Sequence, residues 1–115
     1  MFGILEVTNG PQKGNKFPVS NGETLVIGRN KTLDANLTDR SVGRLHCRVV
    51  MQADKAILLN LSKTSGTLVN GKKVEEQELQ PGDIVQVGLT RLEFKWTSQD
   101  EEPTSSDVKQ STKEQ

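Results

Sequence analysis

Apolar residues along this chain alternate with polar ones over short runs and never settle into a helical spacing. From Leu45 to Met51, Leu45, Cys47, Val49 and Met51 share one parity, while His46, Arg48 and Val50 share the other. Leu92, Phe94 and Trp96 oppose Arg91, Glu93 and Lys95 in the same way. Successive strand residues point to opposite faces, so this parity predicts half-buried β-strands. Strands are predicted at Gly3 to Val7, Lys16 to Val19, Thr24 to Ile27, Ala35 to Leu37, His46 to Met51, Ala56 to Leu59, Thr67 to Val69, Lys72 to Val74, Asp83 to Val87 and Thr90 to Trp96. Gly, Asn and Pro cut these runs about every 8 to 12 residues, the rhythm of a β-sandwich or barrel, and almost no helix is expected.

The interruptions have turn chemistry of their own. Val69-Asn70-Gly71-Lys72 sets Asn-Gly between two β runs, and both residues tolerate the positive φ of a type I′ hairpin turn. Gln80-Pro81-Gly82-Asp83 places Pro and Gly where a type II turn wants them. Asn9-Gly10 and Asn21-Gly22 mark two further reversals.

After Trp96 the pattern ends. Residues 98 to 115 contain one aliphatic side chain, Val108, among Ser, Thr, Gln, Pro and charged residues. Such a stretch cannot bury enough apolar surface to offset its ordering entropy. The expected organisation is a single domain over 1–97 followed by a disordered polar, acidic tail or linker over 98–115.

Charge adds one detail. The whole chain balances 15 basic against 15 acidic residues, which gives no long-range field favouring nucleic acid or an anionic membrane. The tail holds five acids and two lysines, so the preceding part carries 13 basic and 10 acidic groups and is mildly basic. The N-terminal residues do not read as a signal peptide, and no apolar stretch approaches the roughly 20 residues of a membrane span. A lone Cys47 rules out an internal disulfide and fits a reducing compartment. An intracellular protein, cytoplasmic or nuclear, is expected. The N-x-[ST] triplets at Asn30, Asn36 and Asn60 are then chance matches.

Several chemistries can be weighed against this frame. His46 and Cys47, the only residues of their kinds, are adjacent; in a strand they would face opposite ways and could not form a nucleophile and base. One His and one Cys also cannot build a zinc site. Gly66 to Lys72 matches G-x-x-x-x-G-K, but it lacks the final Ser or Thr and a following helix, and its Asn-Gly reads as a hairpin. Neither an enzyme nor a metal or other cofactor is expected. Arg40, Arg44 and Arg48 form a basic cluster, yet with no Tyr, three Phe and one Trp there are few stacking platforms, so nucleic acid is not the expected partner.

Three stretches remain, all at loop mouths: Ile27-Gly28-Arg29-Asn30, Ser41-Val42-Gly43-Arg44-Leu45-His46 and Thr64-Ser65-Gly66-Thr67. Strands would hold them while loops present them. Arg29 at a loop mouth offers a planar, always charged fork suited to phosphate.

Together with Val69-Asn70-Gly71 and Pro81-Gly82-Asp83, these stretches resemble the forkhead-associated (FHA) domain, a β-sandwich that recognises phosphothreonine peptides. The resemblance covers residues 2 to 96. It implies an all-β, SMAD/FHA-like β-sandwich of about ten to eleven short strands with little or no helix. It implies further that Gly28 lets its loop turn and that Arg29 contacts phosphate. His46 would brace the loop, Thr64 would help hold the phosphothreonine, Gly66 and Thr67 would shape the groove, and Asn70 and Gly71 would form the following hairpin. Two positions depart from the family pattern: its phosphate-binding Ser is Gly43 here, and its peptide-holding Asn is Ser65. Losing a hydroxyl bonded to a charged phosphate costs roughly 1.5 to 3 kcal/mol. Backbone amides around Gly43, the charge of Arg44 and the hydroxyl of Ser41 are the candidate compensations.

Two functions stay open on this reading. One is a phosphothreonine-dependent adaptor in signalling with a modified pocket, and the other is an FHA-fold scaffold that binds a protein partner without phosphate. In the tail, Thr104 and Asp107 form Thr-x-x-Asp, so phosphorylated Thr104 is a candidate ligand for another copy of the domain; an unmodified solubilising tail is the plainer alternative.

Overall fold

The computed structural model describes residues 2–97. The tail from residue 98 onward, with Thr104 and the domain boundary expected there, lies outside the described residues.

Eleven strands and no helix make up the described part. In chain order they are β1 (Phe2–Val7), β2 (Lys16–Ser20), β3 (Thr24–Gly28), β4 (Ala35–Asn36), β5 (Cys47–Gln52), β6 (Lys55–Asn60), β7 (Thr67–Val69), β8 (Lys72–Val74), β9 (Glu76–Leu79), β10 (Ile84–Val87) and β11 (Thr90–Thr97). They form two sheets, a six-stranded one in the order β2-β1-β11-β10-β7-β8 and a five-stranded one in the order β4-β3-β5-β6-β9. All pairings are antiparallel except the short β3–β4 contact. Alternation decides what lies between the sheets. Leu25, Ile27, Cys47, Val49, Met51, Ala56 and Leu58 point inward from one sheet, and Leu5, Val7, Val85, Leu92 and Phe94 from the other, to build one core. Each large aliphatic or aromatic side chain buried there stabilises the sandwich by about 1.5–3 kcal/mol.

The ten predicted strands are all present, two of them (β7 and β8) with the predicted bounds and the rest with ends shifted by one residue. The eleventh, β9, was missed because Glu76, Gln77 and Glu78 are exposed and only Leu79 reaches the core. It is an edge strand paired with β6 alone, and its acidic side chains blunt that edge. The predicted parity of Leu45 and His46 is reversed. The strand starts at Cys47, Leu45 is 51% exposed, and His46 is fully buried. The turns follow their residues: Asn70 and Gly71 take φ of 53° and 83°, and Gly82 takes 91° while the Asp83 amide bonds to the Gln80 carbonyl.

Hydrogen bonds gather several loops at the end that carries the candidate residues. The β1–β2 loop reaches the β4–β5 loop through Gln12, whose Nε2 donates to the Asn36 carbonyl and whose Oε1 accepts from the Thr38 amide. The β10–β11 turn joins the same end through the Leu89 amide, which donates to Asp39 Oδ2. Asn70 instead braces the far end of β7, where its side chain bonds to Asp83 and to the Ile84 amide.

Candidate functional site

The end of β3 delivers Arg29 into this cluster of loops. Gly28 comes just before it, and its backbone runs against the β4–β5 loop so closely that an added Cβ would stand 2.1 Å from the Arg44 carbonyl oxygen. Only glycine allows that approach. Gly28 does not have a positive φ, so close packing, rather than a turn as expected from the sequence, is what requires it. The approach lets the Arg29 amide donate to the Gly43 carbonyl at 2.9 Å and the Asn30 amide to that of Arg44 at 3.3 Å.

The Arg29 side chain is exposed but anchored. Its Nε donates to the Val42 carbonyl at 3.0 Å. That bond fixes the plane of the fork while both terminal amines keep no protein partner among the described residues. Asn36 Nδ2 donates to the Arg29 carbonyl from the other side at 3.1 Å.

His46 joins the second loop to the third. Its Nδ1 accepts the Gly43 amide at 2.8 Å, so the proton sits on Nε2, which donates to the Gly66 carbonyl at 2.6 Å. The His46 carbonyl also accepts the Leu61 and Ser62 amides, and its amide donates to the Ile27 carbonyl. Through its ring and its backbone together, this one buried residue ties β3, the β4–β5 loop and the β6–β7 loop to one another. Gly66 takes φ of 75°, and Thr67 is buried with its hydroxyl donating to Asn60 Oδ1 at 2.9 Å.

Cys47 offers no nucleophile. Burial pushes its thiol up to about 12, against a smaller opposing effect of the Thr67 hydroxyl. The neighbouring His46 has both ring nitrogens engaged elsewhere.

The sequence-based candidates thus divide. Arg29, Gly43, Arg44, Ser65 and Gly66 belong to one continuous arrangement of loops, and Thr64 precedes Ser65 on the exposed tip of the β6–β7 loop. The Ser65 amide donates to the Ser62 hydroxyl, and Ser65 is exposed. One of the proposed compensations, and part of another, is already committed. Of the backbone amides around Gly43, that of Gly43 itself is spent on His46. The Ser41 hydroxyl donates to Asp39 Oδ1 at 2.5 Å and accepts the Leu89 amide at 3.1 Å. Arg44 stays exposed, with no side-chain partner among the described residues.

Two organising residues escaped the sequence reading. Asp39 gathers the Ser41 amide and hydroxyl, the Leu89 amide and the Thr90 hydroxyl. Burial alone would raise its pKa, but the bonds from Ser41, Leu89 and Thr90 outweigh burial and bring it down to about 2. Asn60 accepts from Thr67 and the Ser62 amide and donates to the Ser62 carbonyl and Glu75, which shapes the β6–β7 loop from within. An Asx residue before a loop was the available signal for each. Open clefts flank the loops: one of about 380 Å³ between Pro11, Gln12, Thr38, Asp39 and Leu89, the other of about 490 Å³ between Leu61, Lys63, Gly66 and Lys73.

Comparison with known proteins decides the family. Residues 6–98 match the family described as the inner membrane component of T3SS, cytoplasmic domain, an FHA-like domain. The chain belongs to the FHA family. This FHA domain is 32% identical over 91 residues to the oxoglutarate dehydrogenase inhibitor of Corynebacterium jeikeium, covering 79% of this chain and 62% of that protein. It is equally similar to the glycogen accumulation regulator GarA of Mycolicibacterium smegmatis, with 79% and 57% covered. The chain therefore spans about three fifths of the length of these curated relatives. Among solved structures, it superposes with a TM-score of 0.77 and 26% identity on a domain from work on phosphothreonine-dependent FHA domain interactions, covering 85% of this chain and 99% of that one. The FHA domain of FhaA, complexed with the intracellular domain of Rv3910, gives a TM-score of 0.73 and 28% identity over 81% of this chain and 99% of that one.

Proposed function

We propose that this FHA domain is a phosphothreonine-peptide-binding adaptor module whose anion site is carried by Arg29. The observation behind the reading is the Arg29 fork, held at Nε by the Val42 carbonyl while its terminal amines stay free among the described residues. A pre-oriented guanidinium is what bidentate capture of a phosphate needs, because little side-chain freedom is lost on binding. Thr64, Ser65 and Arg44 supply further uncommitted donors around it. The partner is a phosphothreonine-containing protein, and the relatives above support this class of ligand.

A second reading has an observation of its own. The usual phosphate-binding hydroxyl is missing at Gly43, and the Gly43 amide and Ser41 hydroxyl are both engaged within the protein. A scaffold that binds its partner without phosphate accommodates those facts directly.

Titration of a phosphothreonine peptide library beside its unphosphorylated counterpart separates the two. Under the first reading phosphate adds at least about tenfold in affinity, and Arg29→Ala removes that increment. Equal affinity for both libraries, or binding indifferent to Arg29→Ala, leaves only the scaffold.

A further inference from the structure

The outward face of an antiparallel sheet is ordinarily polar. The six-stranded sheet mixes charge with apolar side chains there: Arg91, Glu93 and Lys95 point out from β11, Lys95 Nζ lies 3.0 Å from Glu6 Oε1, and Phe2 and Ile4 of β1 lie on the same face, outside the core between the sheets. The five-stranded sheet has an apolar outward surface of its own. Its inward residues account for Leu25, Ile27, Val49, Met51 and Leu58, so Val26, Val50, Ile57 and Leu59 point outward from its three central strands. All four are only half-buried, so the sheet carries an aliphatic patch on the side away from the core.

Register gives this patch a particular charge pattern. One row across the sheet reads Val26, Arg48, Leu59, Glu76, and the next reads Thr24, Val50, Ile57, Glu78. Arg48 and Glu76 therefore sit one strand to either side of Leu59, each about 5 Å away in the pairing direction. Both are exposed, and neither forms an ion pair within the chain among the described residues.

We propose that this face is a self-association surface, on which a second copy of the chain docks about a two-fold axis running along β6. Rotation about that axis stacks Ile57 and Leu59 on their own counterparts, exchanges the positions of Arg48 and Glu76, sets Val50 over Glu78, brings Lys55 beside its own counterpart at the rim and leaves Val26 outside the overlap. Each copy's Arg48 then lies opposite the other copy's Glu76, twice per dimer. An axis running across the strands instead would keep Arg48 over β5 and Glu76 over β9, leaving both charges without partners. Two sheets packed face to face at about 10 Å, with strands within about 30° of each other, fit the chosen arrangement. The strands that overlap about this axis, β5, β6 and β9, span only about 10 Å across the sheet, below the span of a standard interface, so the dimer is transient and depends on concentration. The phosphate loops lie at the end of the sandwich, so self-association does not depend on phosphopeptide binding.

Sedimentation equilibrium of the full chain, from micromolar to millimolar concentration, tests the proposal. The wild type shifts toward dimer over this range. Arg48→Glu, an exposed substitution, places like charges opposite each other and weakens the dimer by at least about tenfold. Adding Glu76→Arg to it restores association. Leu59→Glu abolishes the dimer, with a thermal melt confirming that the variant is folded. A wild type that stays monomeric throughout overturns the proposal. So does an Arg48→Glu variant that dimerises normally, or a double variant that fails to recover.

Discussion

Replacing Gly43 by serine puts a hydroxyl on the loop whose carbonyl already accepts the Arg29 amide. The backbone admits the change. Gly43 has no positive φ, and a Cβ there would stand 3.4 Å from His46 Nδ1 and 3.8 Å from His46 Cα, which are ordinary contacts. The 2.8 Å bond from the Gly43 amide to His46 uses the main chain and survives. Losing the freedom of glycine in the unfolded chain should itself add about 0.4–1 kcal/mol of stability. A hydroxyl hydrogen-bonded to a charged phosphate is worth roughly 1.5–3 kcal/mol, a gain of about ten- to a hundredfold in affinity. Calorimetric titration of wild type and Gly43→Ser with one phosphothreonine peptide and its unphosphorylated twin measures that gain. If affinity for the phosphorylated peptide is unchanged, or rises equally for both peptides, then this loop does not face the phosphate and the Arg29-centred site is wrong.

The neighbouring glycine should behave in the opposite way: Gly28→Ala drives a Cβ to 2.1 Å from the Arg44 carbonyl oxygen and should cost about 1–3 kcal/mol or more in urea unfolding. An unchanged midpoint would show that the β4–β5 loop can move away freely. Cys47 is buried with its thiol pushed up to about 12, so a colourimetric thiol reagent at pH 8 should label it only as fast as the protein unfolds; immediate labelling of native protein would contradict its burial. Asp39 titrates near 2 when folded against 3.8 in the unfolded chain. Its contribution to stability is present above the unfolded value and is lost as pH falls from 3.8 toward 2. Melting temperature should drop across that window, and Asp39→Asn should flatten the drop; an identical acid profile in the variant would assign the effect elsewhere.

Periodicity and turn residues made most of the sandwich legible. Cys47, Val49 and Met51 alternate into the core as their spacing demands, and Asn70-Gly71 forms its hairpin because few other pairs accept two positive φ values in succession. The failures have physical causes. β9 offers only Leu79 to the core, so an edge strand of Glu and Gln leaves no apolar rhythm to detect. His46 breaks parity because its bonds to the Gly43 amide and the Gly66 carbonyl draw the ring inside ahead of the strand, and this turns Leu45 out. Gly28 was recognised for the wrong reason, since the crowding against Arg44 comes from a segment sixteen residues away and has no local trace.

The candidate residues could be named from the sequence, but which of their donors are free could not. Ser41 reads as an available hydroxyl until its local bond to Asp39 is seen and the Leu89 amide arrives from across the fold to donate to it. Breaking the 2.5 Å bond between Ser41 and Asp39 to reach a ligand would forfeit one of the contacts that hold that carboxylate's pKa near 2. The Gly43 amide is no freer, because releasing it would strip a buried imidazole of its donor at Nδ1 and leave that nitrogen unsatisfied at a cost of about 1–3 kcal/mol. Recruiting the Ser41 hydroxyl or the Gly43 amide therefore means dismantling the braces around Arg29. What remains uncommitted among the described candidates is the terminal fork of Arg29, the side chain of Arg44, the Thr64 and Ser65 side chains at the β6–β7 tip, and the loop amides that follow Gly43. A phosphate bound here rests on two guanidinium groups, those amides and the short side chains of that tip. That is why restoring a single hydroxyl at Gly43, which disturbs none of the braces, is the most sensitive probe of whether the anion binds at all.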